Sequence, residues 1–108
     1  MVSLIVLKSG LLASGSLSEI KFWDTNTSSI LKTLTAQTNF FRALAVLKDY
    51  YLVGGNEDYS IVIWNMNTST IVRTLKDHSN GVWTLTVLKN GNLASGSEDA
   101  TIKIWNAI

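Results

Sequence analysis

The chain has 108 residues, about one small domain. Apolar residues make up 46% of it and charged residues 16%, a balance that argues against an intrinsically disordered chain. Nine basic and eight acidic residues give a formal charge of +1 with no run of one sign, so charge offers no case for binding nucleic acid or an anionic membrane.

Along the chain, Met1 to Leu7 is apolar but lacks the basic start and small-residue cleavage site of a secretory signal. It reads instead as an inner strand over Ser3–Leu7. The phrase at 11–23, LLASGSLSEIKFW, holds two more strands separated by a turn at Leu17-Ser18-Glu19. A polar stretch from Asp24 to Ser28 then leads to a fourth strand at Ile30–Leu34. Phe41–Leu47 is the next inner strand. The phrase at 51–64, YLVGGNEDYSIVIW, ends in Ile61-Val62-Ile63-Trp64, apolar on both faces as in a strand sandwiched between neighbouring sheets. Asn65 to Ser69 is polar, and Ile71–Leu75 is a further outer strand.

The last part follows the same plan. Val82–Leu88 alternates with period two, and Asn90-Gly91 supplies residues that tolerate the positive φ of a tight hairpin. Leu93–Ser97 is a strand, Glu98-Asp99-Ala100 a turn in which the Asp side chain can bond the backbone two residues on, and Ile102–Trp105 the last strand. The chain shows no sustained helical period and has no proline, so the reading is all-β. No apolar stretch approaches the roughly 20 residues needed to cross a bilayer.

These segments are copies of one unit. Trp23, Trp64 and Trp105 are each 41 residues apart, and Val-Leu-Lys recurs at 6–8, 46–48 and 87–89. Residues 46–64 and 87–105 share ten identities in nineteen positions. A period of this length marks four-stranded propeller blades. The expected architecture is three consecutive four-stranded antiparallel blades: 1–35, 36–76 and 77–108, the last lacking its outer strand. That is an incomplete β-propeller within one segment, 1–108.

The repeated phrases resemble the WD-repeat family, whose blade runs roughly Gly-His, an apolar strand, Leu-Ala-Ser-Gly-Ser-x-Asp, then Ile-x-x-Trp-Asp. Asp77-His78 stands at the Gly-His position, Leu93 to Asp99 and Trp105-Asn106 complete the third copy, and Trp23-Asp24 ends the first. There are departures. Ala36-Gln37 replaces Gly-His, the first copy's turn is one residue shorter and lacks the Asp, and the second and third copies end in Trp-Asn.

The resemblance implies a buried structural network of His78, Ser95, Asp99 and Trp105. In it His78 bonds Asp99 and Ser95, and Ser95 receives the Trp105 indole N–H. The competing reading of Ser95, His78 and Asp99 is a hydrolase triad, which needs a serine exposed in a cleft. The structural role is preferred, and the protein is expected not to be an enzyme. With no cysteine and His78 as the single histidine, no metal and no cofactor are expected.

The resemblance also implies an interaction face. Trp83 interrupts the aliphatic pattern of its inner strand, and Arg42 holds the same place one copy earlier. In the family this position points to the mouth of the central channel, where partner peptides bind. Glu57 and Glu98, just before the turn aspartates, and Phe40 belong to the same face. Trp, Phe and Arg are the types that anchor interfaces. Packing of Trp83 and Phe40 between blades is the alternative placement. The expected function is a protein-interaction scaffold whose partners are other proteins or peptides, with no nucleic acid and no membrane. A cytoplasmic location is expected. The sequons Asn26-Thr27-Ser28 and Asn67-Thr68-Ser69 read as polar turns rather than glycosylation sites. Three blades cannot close a ring. The remaining ones would come from a longer chain, the preferred expectation, or from a homo-oligomer.

Overall fold

The computed structural model describes residues 3–48, 50–76 and 78–106, with backbone alone at 36–39. Met1, Asp77 and the side chains of Ala36 and Gln37 lie outside the described residues. The described chain is all-β: β1 Ser3–Val6, β2 Leu12–Gly15, β3 Leu17–Asp24, β4 Ser29–Leu47, β5 Tyr51–Asn56, β6 Ile61–Asn65, β7 Thr70–Leu75, β8 Val82–Val87, β9 Leu93–Ser97 and β10 Ile102–Trp105.

All pairings are antiparallel and sequential. The strands form a seven-stranded sheet, β1 to β7 in order, and a three-stranded sheet, β10-β9-β8. Two separate strands, Ile30–Leu34 and Phe41–Leu47, were expected where β4 runs unbroken for 19 residues. Its first part pairs with β3 and its last part with β5, so one strand serves as the outer strand of blade 1 and the inner strand of blade 2. No glycine or proline interrupts Ser29–Leu47, and nothing local stops the strand. The crossing to blade 3, through His78-Ser79-Asn80-Gly81, is irregular.

The turn expected at Leu17-Ser18-Glu19 lies inside β3. Ser16 N–H donates to Glu19 O at 3.0 Å, Ser18 sits at φ 59°, and Leu17 is already paired with Phe40. The shorter turn still closes the β2–β3 hairpin in the register of the other blades, with Leu12 opposite Trp23 and Gly15 opposite Ile20. The hairpin at Asn90-Gly91 has Gly91 at φ 87°, where a residue without Cβ is at ease.

The core lies in two layers between blades. Ala13, Ile20, Phe22, Leu34, Phe41, Leu52, Val62 and Trp64 fill the layer between blades 1 and 2. Ala45, Leu47, Val53, Ile61, Ile63, Leu75, Val82 and Leu93 fill the layer between blades 2 and 3. Successive side chains of a strand face opposite ways, so Leu52 and Trp64 look toward blade 1 while Val53, Ile61 and Ile63 look toward blade 3. Blade 2 is thus apolar on both sides, and each fully buried Leu or Ile stabilises it by about 1.5–3 kcal/mol.

Candidate interaction surface and the network beneath it

The polar turns after the tryptophans are held by their first residue. Asp24 Oδ1 accepts the N–H of Asn26, and Asn65 Oδ1 accepts that of Asn67 at 2.8 Å, so Asn does the work of Asp at this point. Both sequons lie in these turns, with Ser28 at φ 58° and Ser69 at φ 59°.

Register aligns the blades. Leu12, Leu52 and Leu93 pair with Trp23, Trp64 and Trp105, so Ser14, Gly54 and Ser95, two residues on, are equivalent. In blade 3 the indole N–H of Trp105 donates to Ser95 Oγ at 2.8 Å, and His78 Nε2 lies 2.7 Å from the same oxygen. His78 Nδ1 is 3.1 Å from Asp99 Oδ2. The four residues named for the network are therefore brought together, with Ser95 1% and His78 5% exposed. An ionised Asp99 only accepts, so Nδ1 carries a proton toward it, and in the tautomer with Nε2 bare Ser95 O–H donates to Nε2. Every hydrogen then runs one way, from Trp105 through Ser95 and His78 to Asp99.

Two contributors escaped the sequence reading. Thr101 gives both its O–H and its N–H to Asp99 Oδ1, the latter at 2.9 Å, and Ser79 N–H donates to Oδ2 at 2.9 Å. The Thr101 hydroxyl is the main reason that the Asp99 carboxyl titrates well below its ordinary range, with the Ser79 and Thr101 amides and His78 adding to it against some desolvation. A hydroxyl residue two places after the turn Asp, repeated as Ser60 after Asp58, was the available signal.

The other blades solve the same position differently. Trp23 N–H donates to Ser14 Oγ at 2.9 Å. Blade 2 has Gly54 there, and a Cβ on it would lie 2.7 Å from Phe41 Cδ1. The Phe41 ring takes the space and meets Trp64 edge-on, centroids 5.4 Å apart. Polar closure moves to the turn, where Asn56 Nδ2 donates to Ser60 Oγ at 3.0 Å and Ser60 O–H to Asp58 at 2.7 Å.

Arg42 and Trp83 both sit at register shifts of their strands, between Phe41 and Ala43 in one case and between Val82 and Thr84 in the other. A bulge re-aims the extra side chain, and here both turn to the same place. The Arg42 guanidinium lies over the Trp83 ring, 4.0 Å from its centroid, and Nη2 is 3.3 Å from Glu57 Oε1. Arg42 is held largely out of solvent, whereas Trp83 is 49% exposed. Phe40 and Glu98 join through the backbone. Phe40 O accepts Glu57 N–H at 2.9 Å, and Gly81 O, at the same point of the next blade, accepts Glu98 N–H at 3.0 Å. Phe40 is half-buried and Glu98 exposed.

A cavity of about 250 Å³ between blades 1 and 2 is lined by Leu7, Leu11, Phe22, Leu31, Lys32 and Met66. Lys32 Nζ donates to Met66 O at 2.8 Å across it and tethers the two blades. Among the described residues no group of three or more His, Asp or Glu is placed to hold a metal ion.

Residues 69–106 match the family model for the WD domain, G-beta repeat. No curated protein matches the chain. Among solved structures, the crystal structure of the WD40 β-propeller domain of Doa1 superposes with a TM-score of 0.88 at 24% identity, covering 96% of this chain. The chain spans 36% of the length of that structure. Residues 69–106 are thus similar to a WD40 repeat, and the described chain has the fold of part of a WD40 β-propeller, in three blades.

Proposed function

We propose that the chain is a non-catalytic scaffold inside the cell that binds a segment of another protein at the rim formed by Arg42, Glu57 and Trp83, with Phe40 and Glu98 beside it. WD40 propellers typically mediate protein–protein interaction. The observation that carries the specific reading is the stack of Arg42 under an indole left half-exposed. An ion pair and two bulges already fix the cation, so a partner covers a preordered aromatic surface and little freedom is lost on binding. The overall charge of +1 supports a protein partner over nucleic acid.

The hydrolase reading gains no support from the geometry. Ser95 Oγ is committed to Trp105 and His78 and is 1% exposed, whereas a nucleophile must reach substrate. The test is affinity capture from cell extract by the wild-type chain and by Trp83→Ala, Arg42→Ala and Ile71→Ala, the last on an outer strand. The reading expects the first two variants to lose the same proteins while Ile71→Ala retains them. Equal capture by all four would overturn it.

A further inference from the structure

The cavity between blades 1 and 2 lies at the opposite end of the strands from the rim. Leu7 N–H donates to Leu11 O at 2.8 Å and closes the β1–β2 hairpin there, whereas Glu57 follows the other end of β5. Both walls come from blades 1 and 2, with Leu7, Phe22 and Met66 packed in the layer between them.

Residue choice makes the hollow. At the equivalent seam between blades 2 and 3, Leu47 stands for Leu7 and Tyr51 for Leu11, because Val6 pairs with Leu12 as Val46 pairs with Leu52. Leu47 is 2% exposed and Tyr51 packs against the core at that seam. Leu11 is smaller than tyrosine and half-buried, and beside it the space over Phe22 stays open.

The charges along the cavity have one sign. Leu11, Phe22, Leu31 and Met66 give it apolar walls, and its two charged groups, Lys8 and Lys32, are both cations. Lys32 is half-buried. Its ammonium sits 5.0 Å from the centroid of the Phe22 ring and donates to Met66 O at 2.8 Å and to Ser69 Oγ at 3.1 Å. An ammonium has three N–H donors, and two of them here end on neutral oxygens. Among the described residues no carboxylate pairs with it. A cation partly withdrawn from water gains most from an anion held beside it.

We propose that this hollow binds a small amphipathic carboxylate, its alkyl tail against Leu11, Phe22 and Met66 and its carboxylate on the third N–H of Lys32. A dry apolar cavity of roughly 150 Å³ takes one benzene ring, so about 250 Å³ accommodates a short alkyl chain with its head at the lysine. Charge selects the head. A carboxylate supplies the counter-ion through a charge-assisted hydrogen bond, an alcohol supplies a neutral hydrogen bond only, and an amine meets like charge.

The test is a titration of the 108-residue chain, labelled with carbon-13 at its methionine methyls, with hexanoate, hexanol and hexylamine. The chain has two methionines, and the spectrum of Met66→Leu identifies the Met66 signal. The expected result is a saturable shift of that signal by hexanoate, with affinity about tenfold above that of hexanol and hexylamine weaker still. Lys32→Gln removes the charge but keeps an N–H donor for Met66 O, so hexanoate falls to the level of hexanol while hexanol is unchanged. Leu11→Tyr copies the neighbouring seam, fills the hollow and loses both ligands. No saturable shift, equal affinity of the wild-type chain for hexanoate and hexanol, or binding retained in Leu11→Tyr would overturn the proposal. So would loss of hexanol along with hexanoate in Lys32→Gln, which would make Lys32 a prop of the seam and not a ligand group. None of these variants touches the rim, so the outcome is independent of partner binding there.

Discussion

The indole N–H of Trp105 ends on the hydroxyl of Ser95 at 2.8 Å, and the same bond recurs between Trp23 and Ser14 at 2.9 Å. In blade 3 that hydroxyl is a relay to His78. The two serines are equivalent in register, and each receives the indole N–H of its own blade.

Ser95→Ala and His78→Ala therefore each strand buried partners and should destabilise the chain by about 1–3 kcal/mol. Ser14→Ala strands a single indole N–H and should cost about 1 kcal/mol. Urea unfolding measures all three. Equal midpoints for Ser95→Ala and wild type would mean that the network carries no stability.

Gly54→Ser copies the blade 3 residue into blade 2 and should fail to copy the network. The new Cβ meets the Phe41 ring at 2.7 Å, so the aromatic packing must shift before the hydroxyl reaches Trp64. Overpacking of this kind costs about 1–3 kcal/mol. A Gly54→Ser variant as stable as wild type in the same unfolding assay would contradict it.

Acid should act on blade 3 through Asp99. The folded state holds its carboxyl below the ordinary value of 3.8, so its contribution is complete above that pH and is lost as pH falls below it. Asp99→Asn should lower stability at neutral pH and flatten the acid limb of a stability–pH profile. An Asp99→Asn profile parallel to wild type below pH 3.8 would be the contrary result.

Trp83→Ala should separate binding from folding. The indole is half-exposed, and loss of its cation–π contact with Arg42 costs about 0.5–1 kcal/mol. Thermal unfolding should shift little while partner binding disappears. A large fall in melting temperature would mark Trp83 as a core residue instead.

Much of this was legible in the residues. Three tryptophans at a constant spacing place the strands, and Ile61-Val62-Ile63-Trp64 announces a blade covered on both sides. The continuity of β4 was not foreseen, because an outer and an inner strand were read as separate units. The missing breaker between Ser29 and Leu47 was the sign, and His78 to Gly81 supplies the contrast. The site was legible in part. His78, Ser95, Asp99 and Trp105 could be named together through the repeat, and Thr101 could have been, from its spacing. The stack of Arg42 on Trp83 could not. It needs two bulges in neighbouring blades to turn side chains sideways, and residue type does not report that.

A protein partner seated on the rim at Trp83 would be captured by site-specific photo-cross-linking. A photoreactive phenylalanine analogue is placed at Trp83, at Glu98 or, as a control, at Ile71, and the chain is irradiated in cell extract. The expected result is a discrete cross-linked protein band from Trp83 and Glu98, absent from Ile71 and suppressed by Arg42→Ala. A band of equal strength from Ile71, or none from the rim positions, would contradict it.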